Sequence, residues 1–288
     1  MMKQTRGERA FRSVNVVLLV VLACLTLLPV LNIVAKSFSD SKHLNLGTVT
    51  LVPEGFNTKT YQVVMADRVF WQSYGNTVTY TVLATVVSLV LTTLFAYPLS
   101  RTRLPGRQWL ITLVVITMFF AGGIIPNYLL VRALEMRNTL WAMIIPGAIS
   151  TFNLLVMKTF FEGIPTDLEE AASIDGLSPW GVLVRIILPL SKPILATMAL
   201  FYAVANWNAW FGAVLYLDNY QQYPVTIYLR NIIAGSMAQA GGDSDALTEV
   251  AANIKAVTVV LTALPIVCVY PFLQRYFVQG LLIGSIKG

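Results

Sequence analysis

The chain has 288 residues, of which 56% are hydrophobic and only 12% are charged, and its formal net charge is +6. Soluble domains carry roughly 25% charged residues, so this composition excludes an ordinary soluble domain and favours an integral membrane protein. The basic residues form no stripe interleaved with aromatic side chains; we therefore expect them on the cytoplasmic side of a lipid bilayer, and we expect no nucleic-acid binding.

Six apolar runs are candidates for transmembrane helices, because about 20 residues are needed to cross ~30 Å of hydrocarbon. They cover residues 14–35, 76–99, 108–131, 139–157, 193–217 and 256–274. None of these cores contains Asp, Glu, Lys, Arg or His. Prolines interrupt several of these runs and predict either local kinks or hinges: Pro29, Pro98, Pro126, Pro146 and Pro265. The sequence thus predicts an all-α, polytopic membrane protein with about six transmembrane helices.

The segment 1–13 precedes the first run and is basic. Its positive charges are Lys3, Arg6, Arg9 and Arg12. They predict a cytoplasmic N-terminus. The apolar run continues well beyond Cys24, which is too long for a cleaved signal and favours a retained span. Six crossings then place the tail 281–288 in the cytoplasm as well, and residues 14–280 are expected to form the transmembrane domain.

The charges of the connecting loops agree with this orientation. Three arginines fill the short loop after the second run: Arg101, Arg103 and Arg107. That loop should be cytoplasmic. The loop 218–253 holds more acidic than basic residues and should be external. The loop 162–192 should be cytoplasmic by alternation, although acidic residues outnumber basic ones within it.

The loop 162–192 contains a polar segment, "IPTDLEEAASIDG", that is unusual in this chain. Pro165 ends the preceding helix, and Thr166 or Asp167 can cap a new one. The stretch "LEEAAS" favours a helix, and its glutamates suit the first turn. Gly176 can end the helix in a left-handed conformation. We therefore predict a short helix of about two turns.

One face of this short helix is small and only partly apolar. By helical spacing it contains Leu168, Ala171, Ala172 and Asp175. Such a face cannot anchor itself in a bilayer, but it suits docking into a groove of another protein. The alternative is a solvated connector that happens to be helical.

The stretch "EAASIDGLSPWGVLVRIILPLSKP" resembles the EAA loop of permease subunits of binding-protein-dependent ABC importers. The matching residues are Glu170, Ala171, Ala172, Asp175, Gly176, Pro189 and Pro193. Leu177 is larger than the residue that commonly follows Asp-Gly there. The whole chain is similar to the carbohydrate branch, which includes maltose-permease-like second subunits, LplC-like permeases and alginate importer permeases. Its ending "LQRYFVQGLLIGSIKG" resembles that branch's tail.

This resemblance implies a type I ABC importer permease fold with a cytoplasmic coupling helix, which sits in a cleft of an ATPase subunit. It assigns ATPase-coupling roles to Glu170, Ala171, Ala172, Asp175 and Gly176. The two acidic residues would orient the helix, the alanines would pack at the cleft, and the glycine would turn the chain. The tail from Gln279 to Gly288 would also reach the ATPase interface.

The resemblance also implies the partners and the location. These are a second homologous permease, two cytoplasmic ATPases, an external solute-binding protein and an oligosaccharide, in a bacterial cytoplasmic (inner) membrane. Transport would proceed by alternating access. The chain has no G-x-x-x-x-G-K-[ST] loop, so we expect ATP and Mg²⁺ on the ATPase, no cofactor here and no enzyme activity. With His43 as its single histidine, we expect no metal site.

The fifth run, "LFYAVANWNAWFGAVLYL", contains candidate residues for the substrate pathway. As a continuous helix it would place Tyr202, Asn206 and Trp210 on one face, with Trp207 at its flank. Aromatic rings and amides suit sugars, which stack on rings and need hydrogen bonds. The alternative is that the tryptophans pack against the sister subunit and the asparagines bridge helices.

Several alternatives remain open. The loop 231–249 either reaches into the binding protein or is simply solvated. An ion-coupled secondary transporter would usually carry ionisable residues inside its spans, which the predicted cores lack. A membrane-bound enzyme would need a nucleophile with a base or a set of metal ligands. A scaffold and an ABC permease for a non-sugar solute are also possible. An acidic sugar is conceivable, although the cores offer no basic residue.

Overall fold

The structure is a computed structural model that describes residues 6–239, 253–269 and 271. All regular structure in these ranges is helical. The helices are α1 (Arg6–Ser37), α2 (Ser41–Asn45), α3 (Lys59–Ala66), α4 (Arg68–Ser100), α5 (Arg107–Phe119), α6 (Ile124–Ala133), α7 (Leu140–Ile144), α8 (Thr151–Glu162), α9 (Asp167–Ile174), α10 (Pro179–Val182), α11 (Leu188–Leu190), α12 (Lys192–Trp207), α13 (Phe211–Tyr216), α14 (Val225–Gln239) and α15 (Asn253–Val269). A π-helical stretch, Leu183–Ile187, joins α10 to α11, and a 3₁₀ turn covers Tyr220–Gln222.

Two of the described helices are long and apolar enough to cross a bilayer alone, namely α1 and α4. They coincide with the first two predicted spans. Pro29 and Pro98 lie inside these helices without ending them. The helix α1 continues through residues 6–13, so the described part of the basic N-terminal segment is helical.

The predicted third span is broken, which corrects the expectation of one continuous helix. The helices α5 and α6 meet at an angle of 115°. Gly123 adopts a φ of 85° at this break, a left-handed value that side-chain-bearing residues avoid. Pro126 lies in the first turn of α6, where a missing backbone N–H costs little. The apolar run 108–131 is therefore long enough to cross the bilayer, but its backbone changes direction at Gly123.

The predicted fourth and fifth spans are also interrupted. Between α7 and α8 the chain passes through Pro146, and the side chain of Ser150 accepts a hydrogen bond from the backbone N–H of Asn153, which caps α8. The helix α12 ends at Trp207, and the side-chain amide of the next residue, Asn208, donates to the Val204 carbonyl at 2.8 Å. The sixth predicted span corresponds to α15 in its described part.

The described residues divide into two compact units. The first contains those before residue 71 and those from 228 to 264. Here Phe38 stacks on Tyr61 with ring centroids 4.9 Å apart. The side-chain amide of Asn253, at the start of α15, donates to the Ser39 carbonyl at 3.0 Å. These contacts fix the end of α1 within this unit.

The second unit contains residues 71–227 and the described residues from 265 onward. Its main core is formed where α4, α8, the π-helical stretch and α12 meet. The fully buried side chains at its centre are Met157, Phe161, Ile187 and Met198. This core supports the segment 162–192. Residues 240–252 of the predicted external loop and the tail from Gln279 to Gly288 lie outside the described residues.

Candidate functional site

The short helix predicted in the loop 162–192 is confirmed as α9. It has eight residues, begins after Thr166 and carries three acidic residues in its first turn. Thr166 occupies the N-cap position but makes no side-chain capping bond. At the other end Asp175 is the C-cap and Gly176 has a φ of 81°. The predicted left-handed glycine therefore turns the chain toward α10.

The two alanines of α9 face opposite environments. Ala172 is 4% exposed and belongs to the main core of its own unit, together with Phe161 and Val182. Ala171, about 100° around the helix from it, is exposed. The expectation that both alanines face a partner is therefore corrected for Ala172, which this chain covers itself.

The outer face of α9 and of the turn that follows carries uncovered apolar side chains. Ile174 is 88% exposed and Trp180 is 64% exposed. Leu168, in the first turn of α9, is 43% exposed. Exposed apolar side chains on a short helix and on the segment that follows it are typical of a protein-binding surface. Glu170 and Asp175 are exposed beside them and add polar groups to this face.

Arginines from the loop after α4 neutralise the first turn of α9. Arg101 forms an ion pair with Glu169, and both side chains are largely shielded, with 15% and 18% exposure. Arg103 forms an ion pair with Glu170 at 2.6 Å, but there the side chains are 84% and 54% exposed. Solvent screens the second pair far more than the first, so Glu170 can exchange its partner at little cost.

A third arginine, the first residue of α5, binds to the end of α8. Arg107 forms an ion pair with Glu162, and its Nε donates to the Leu99 carbonyl at 2.8 Å. Lys158 adds a 2.8 Å ion pair to Glu162 from one turn earlier in α8. The loop between α4 and α5 is thus bound electrostatically to the segment that carries α9.

The candidate pathway residues do not share one helical face, because α12 ends at Trp207. Trp210 lies in the break before α13 and packs against Phe211 with ring centroids 5.6 Å apart. Asn206 is half-buried in the last turn of α12. The predicted face is therefore corrected, since the rotation of 100° per residue stops before Trp210.

Tyr202 is buried within its own unit and has an internal role. It is 3% exposed, and its hydroxyl lies 2.7 Å from Oγ1 of Thr92. The same hydroxyl accepts a 3.1 Å hydrogen bond from the backbone N–H of Ser150. Tyr202 thus fastens α12 to α4 and to the start of α8, and this placement corrects its proposed contact with substrate.

Trp207 lines an apolar crevice and packs edge-on against Tyr74, with ring centroids 5.6 Å apart. The crevice is lined by Val78, Thr81, Val82, Leu200, Ala203, Val204, Trp207, Pro265, Ile266 and Val269. A sugar needs several hydrogen-bonding groups, and among these residues only Thr81 and Trp207 have a polar side-chain atom. Trp207 is therefore covered by its own chain, which differs both from a sugar contact and from the alternative of packing against the sister subunit.

Comparison with known proteins identifies the family. Residues 76–283 match the family described as "Binding-protein-dependent transport system inner membrane component". This range is more than half of the chain and includes α9 and its arginine partners. The chain belongs to this family. It is therefore a permease subunit of an ABC importer, an inner-membrane component and not an enzyme, and ATP hydrolysis belongs to a separate ATPase subunit.

Relatives support this assignment over the full length. Protein LplC of Bacillus subtilis (strain 168) is 41% identical over 289 residues, covering 100% of this chain and 98% of the relative. The polygalacturonan/rhamnogalacturonan transport system permease protein YtcP of the same organism is 39% identical and covers 94% and 96% of the two chains. A solved structure of a bacterial ABC transporter involved in the import of the acidic polysaccharide alginate has a chain similar to this permease. The TM-score is 0.85 and the identity 32%, over 96% of this chain and 100% of that one.

The residues that sequence reasoning missed are Arg101 and Glu169 as an interacting pair. The sequence assigned the arginine to membrane orientation and the glutamate to helix initiation. A usable signal was present, since a loop with three arginines and a segment with several glutamates were both predicted on the cytoplasmic side. Which charges meet depends on how α4 and α8 pack, and this cannot be read from spacing.

Proposed function

We propose that the chain is one of two permease subunits of an importer that takes up an oligosaccharide delivered by an external solute-binding protein. Two cytoplasmic ATPases, which bind ATP and Mg²⁺, complete the importer and drive alternating access. The helix α9 is the coupling helix of this subunit and docks into a cleft of one ATPase.

The full-length likeness to oligosaccharide and polysaccharide permeases carries this proposal. YtcP is named for polygalacturonan and rhamnogalacturonan transport, and the similar solved transporter imports alginate. Two further relatives are named as permeases for arabinooligosaccharides and galactooligosaccharides. The solute class that these names share is an oligomeric or polymeric carbohydrate.

The geometry of α9 supports the coupling role. Ile174 and Ala171 offer an exposed apolar surface, and Glu170 and Asp175 flank it with exposed carboxylates. A partner cleft that covers this face would bury the apolar side chains. A basic or hydrogen-bonding group in the cleft could replace Arg103 as the partner of Glu170. The buried Ala172 keeps the helix attached to the permease while its outer face is engaged.

The ion pairs also support a cytoplasmic position for α9. Arg101 and Arg103 belong to a basic loop that the positive-inside rule assigns to the cytoplasm. Because they pair with Glu169 and Glu170, α9 lies on the same side as that loop. We therefore propose a cytoplasmic position for the coupling helix. For the two termini the same side is proposed from the basic N-terminal segment and an even number of crossings.

Uptake in proteoliposomes tests the proposal. The permease pair and the ATPases are reconstituted with the solute-binding protein, and labelled oligogalacturonide and maltooligosaccharide are offered with and without ATP. We expect ATP-dependent uptake of at least one of them, and comparison of the two distinguishes acidic from neutral sugars. Uptake that survives ATP depletion but stops with an uncoupler would instead indicate an ion-coupled transporter.

Charge reversal tests the coupling helix directly. Glu170→Lys should leave the complex assembled in the membrane but separate ATP hydrolysis from uptake, since it places like charges beside Arg103 and removes a carboxylate from the docking face. Gly176→Pro should act similarly, because proline cannot adopt a φ of 81°. Glu135→Lys, at an exposed glutamate in the turn after α6, is the matched control. Normal uptake by Glu170→Lys and Gly176→Pro would refute the coupling role.

A further inference from the structure

Arg101 contacts three separate elements with one guanidinium group. It forms the ion pair with Glu169 in α9, and one terminal nitrogen donates to the Phe161 carbonyl in the last turn of α8 at 3.0 Å. Its central carbon lies 5.1 Å from the ring centroid of Tyr97 in α4. The residue itself directly follows the end of α4.

The charges around Arg101 are arranged to hold it there. The C-terminal end of α8 presents backbone carbonyls and the negative end of a helix dipole, which favours a cation. The first turn of α9 presents Glu169. The Tyr97 ring provides an electron-rich face for the guanidinium. All three interactions favour the same cation at the same point.

The burial of this cluster separates it from the other ion pairs around α9. Arg101 and Glu169 are 15% and 18% exposed, whereas Arg103 and Glu170 are 84% and 54% exposed. Removing one partner of a shielded pair leaves the other charge poorly solvated, while an exposed pair costs little to break. Glu170 is therefore free to engage a partner, and Glu169 is held to its own chain.

We propose that Arg101 is a positioning residue that holds the coupling helix to α4 and α8 and carries its displacement into them. This inference rests on the proposed function. When an ATPase moves α9, Glu169 pulls on Arg101, and Arg101 pulls on the ends of both helices. Ala172 supplies a second, apolar attachment, but dispersion contacts alone do not fix the direction of movement. Arginine is required because a lysine ammonium cannot lie over the Tyr97 ring while it donates to the Phe161 carbonyl and pairs with Glu169.

The test measures sugar uptake per ATP hydrolysed by the reconstituted importer, with the labelled oligogalacturonide or maltooligosaccharide that the wild type accepts. Arg101→Gln should lower this ratio by at least about fivefold, the lower end of typical coupling between sites. Glu169→Gln should lower it similarly. The double variant should be no worse than either single variant, because both changes break the same link.

The chain offers a matched control in a second arginine with the same kinds of partner. Arg137 pairs with Asp218 at 2.7 Å and lies 5.5 Å from the ring centroid of Tyr128, but it does not touch α9. Arg137→Gln should change the ratio of uptake to hydrolysis by less than about twofold, even if the substitution lowers the thermal stability of the importer. A purely structural role for Arg101 would make the two variants alike.

The outcomes separate this inference from the proposed function. A wild-type complex without ATP-dependent uptake would overturn the proposed function, whereas an active wild type and an Arg101→Gln variant with a normal ratio would overturn only the inference. If the Arg101→Gln permease does not assemble with the ATPases, the test uses Arg101→Lys and Glu169→Gln instead. A normal ratio of uptake to hydrolysis in both of these variants would overturn the inference. Failure of all three variants to assemble would also overturn it, since Arg101 would then be needed for folding and not for transmission.

Discussion

Removal of the Tyr202 hydroxyl should destabilise the permease without affecting substrate handling. In the folded protein this hydroxyl can donate to Oγ1 of Thr92 at 2.7 Å while it accepts from the Ser150 N–H at 3.1 Å. Tyr202 is 3% exposed and Thr92 is fully buried. Water therefore cannot easily replace the lost group in Tyr202→Phe.

The magnitude follows from these two bonds. Each typical hydrogen bond contributes about 0.5–1.5 kcal/mol, and a buried group left without a partner costs about 1–3 kcal/mol. For Tyr202→Phe we expect a loss of about 1–3 kcal/mol in the free energy of unfolding. At about 2–4 °C for each kcal/mol, the apparent melting temperature should fall by several degrees.

The assay is thermal unfolding of the purified importer, combined with uptake per assembled complex. Tyr220→Phe is the control, because Tyr220 is 75% exposed and its hydroxyl is accessible to water. The control should melt like the wild type, and uptake per complex should be unchanged in both variants. An unchanged melting temperature together with lost uptake in Tyr202→Phe would refute this reasoning and restore Tyr202 to the substrate pathway.

Two further predictions concern a backbone position and a carboxylate. Gly176→Ala should cost about 1–2 kcal/mol through its left-handed φ alone, since no atom lies within 4 Å of an added Cβ. The control is Gly147→Ala, because Gly147 also has no atom within 4 Å of an added Cβ but lies outside the left-handed region. The control should keep the wild-type stability, and equal melting temperatures of the two variants would contradict this account. The pKa of Asp218 is lowered, first by the hydrogen bond from Asn138 and then by the Arg137 guanidinium. The ionised carboxylate therefore stabilises the folded protein fully above the unfolded pKa of about 3.9. This stabilisation is lost as the pH falls through the lower, folded pKa. Asp218→Asn should therefore lower the melting temperature at pH 7, and the difference should shrink below about pH 4; a difference independent of pH would show that ionisation is irrelevant.

Local rules were sufficient to predict the coupling segment. The proline before α9, its acidic first turn and Gly176 act over distances of a few residues, so the helix and its left-handed end could be read directly from the sequence. The motif around Glu170 was equally local and led to the family. The spans α1 and α4 followed from hydropathy, because a long apolar run without breaks has one stable form in a bilayer.

The sequence by itself thus determined the fold class, the family, and the existence and ends of α9. Only the tertiary structure decided that Ala172 faces inward, that Tyr202 bonds α4 and α8, and that the third predicted span turns at Gly123. Hydropathy sums over a window and is blind to a change of backbone direction within it. The link from Arg101 to Glu169 joins elements far apart in sequence, so it exists only because helix packing brings their ends together.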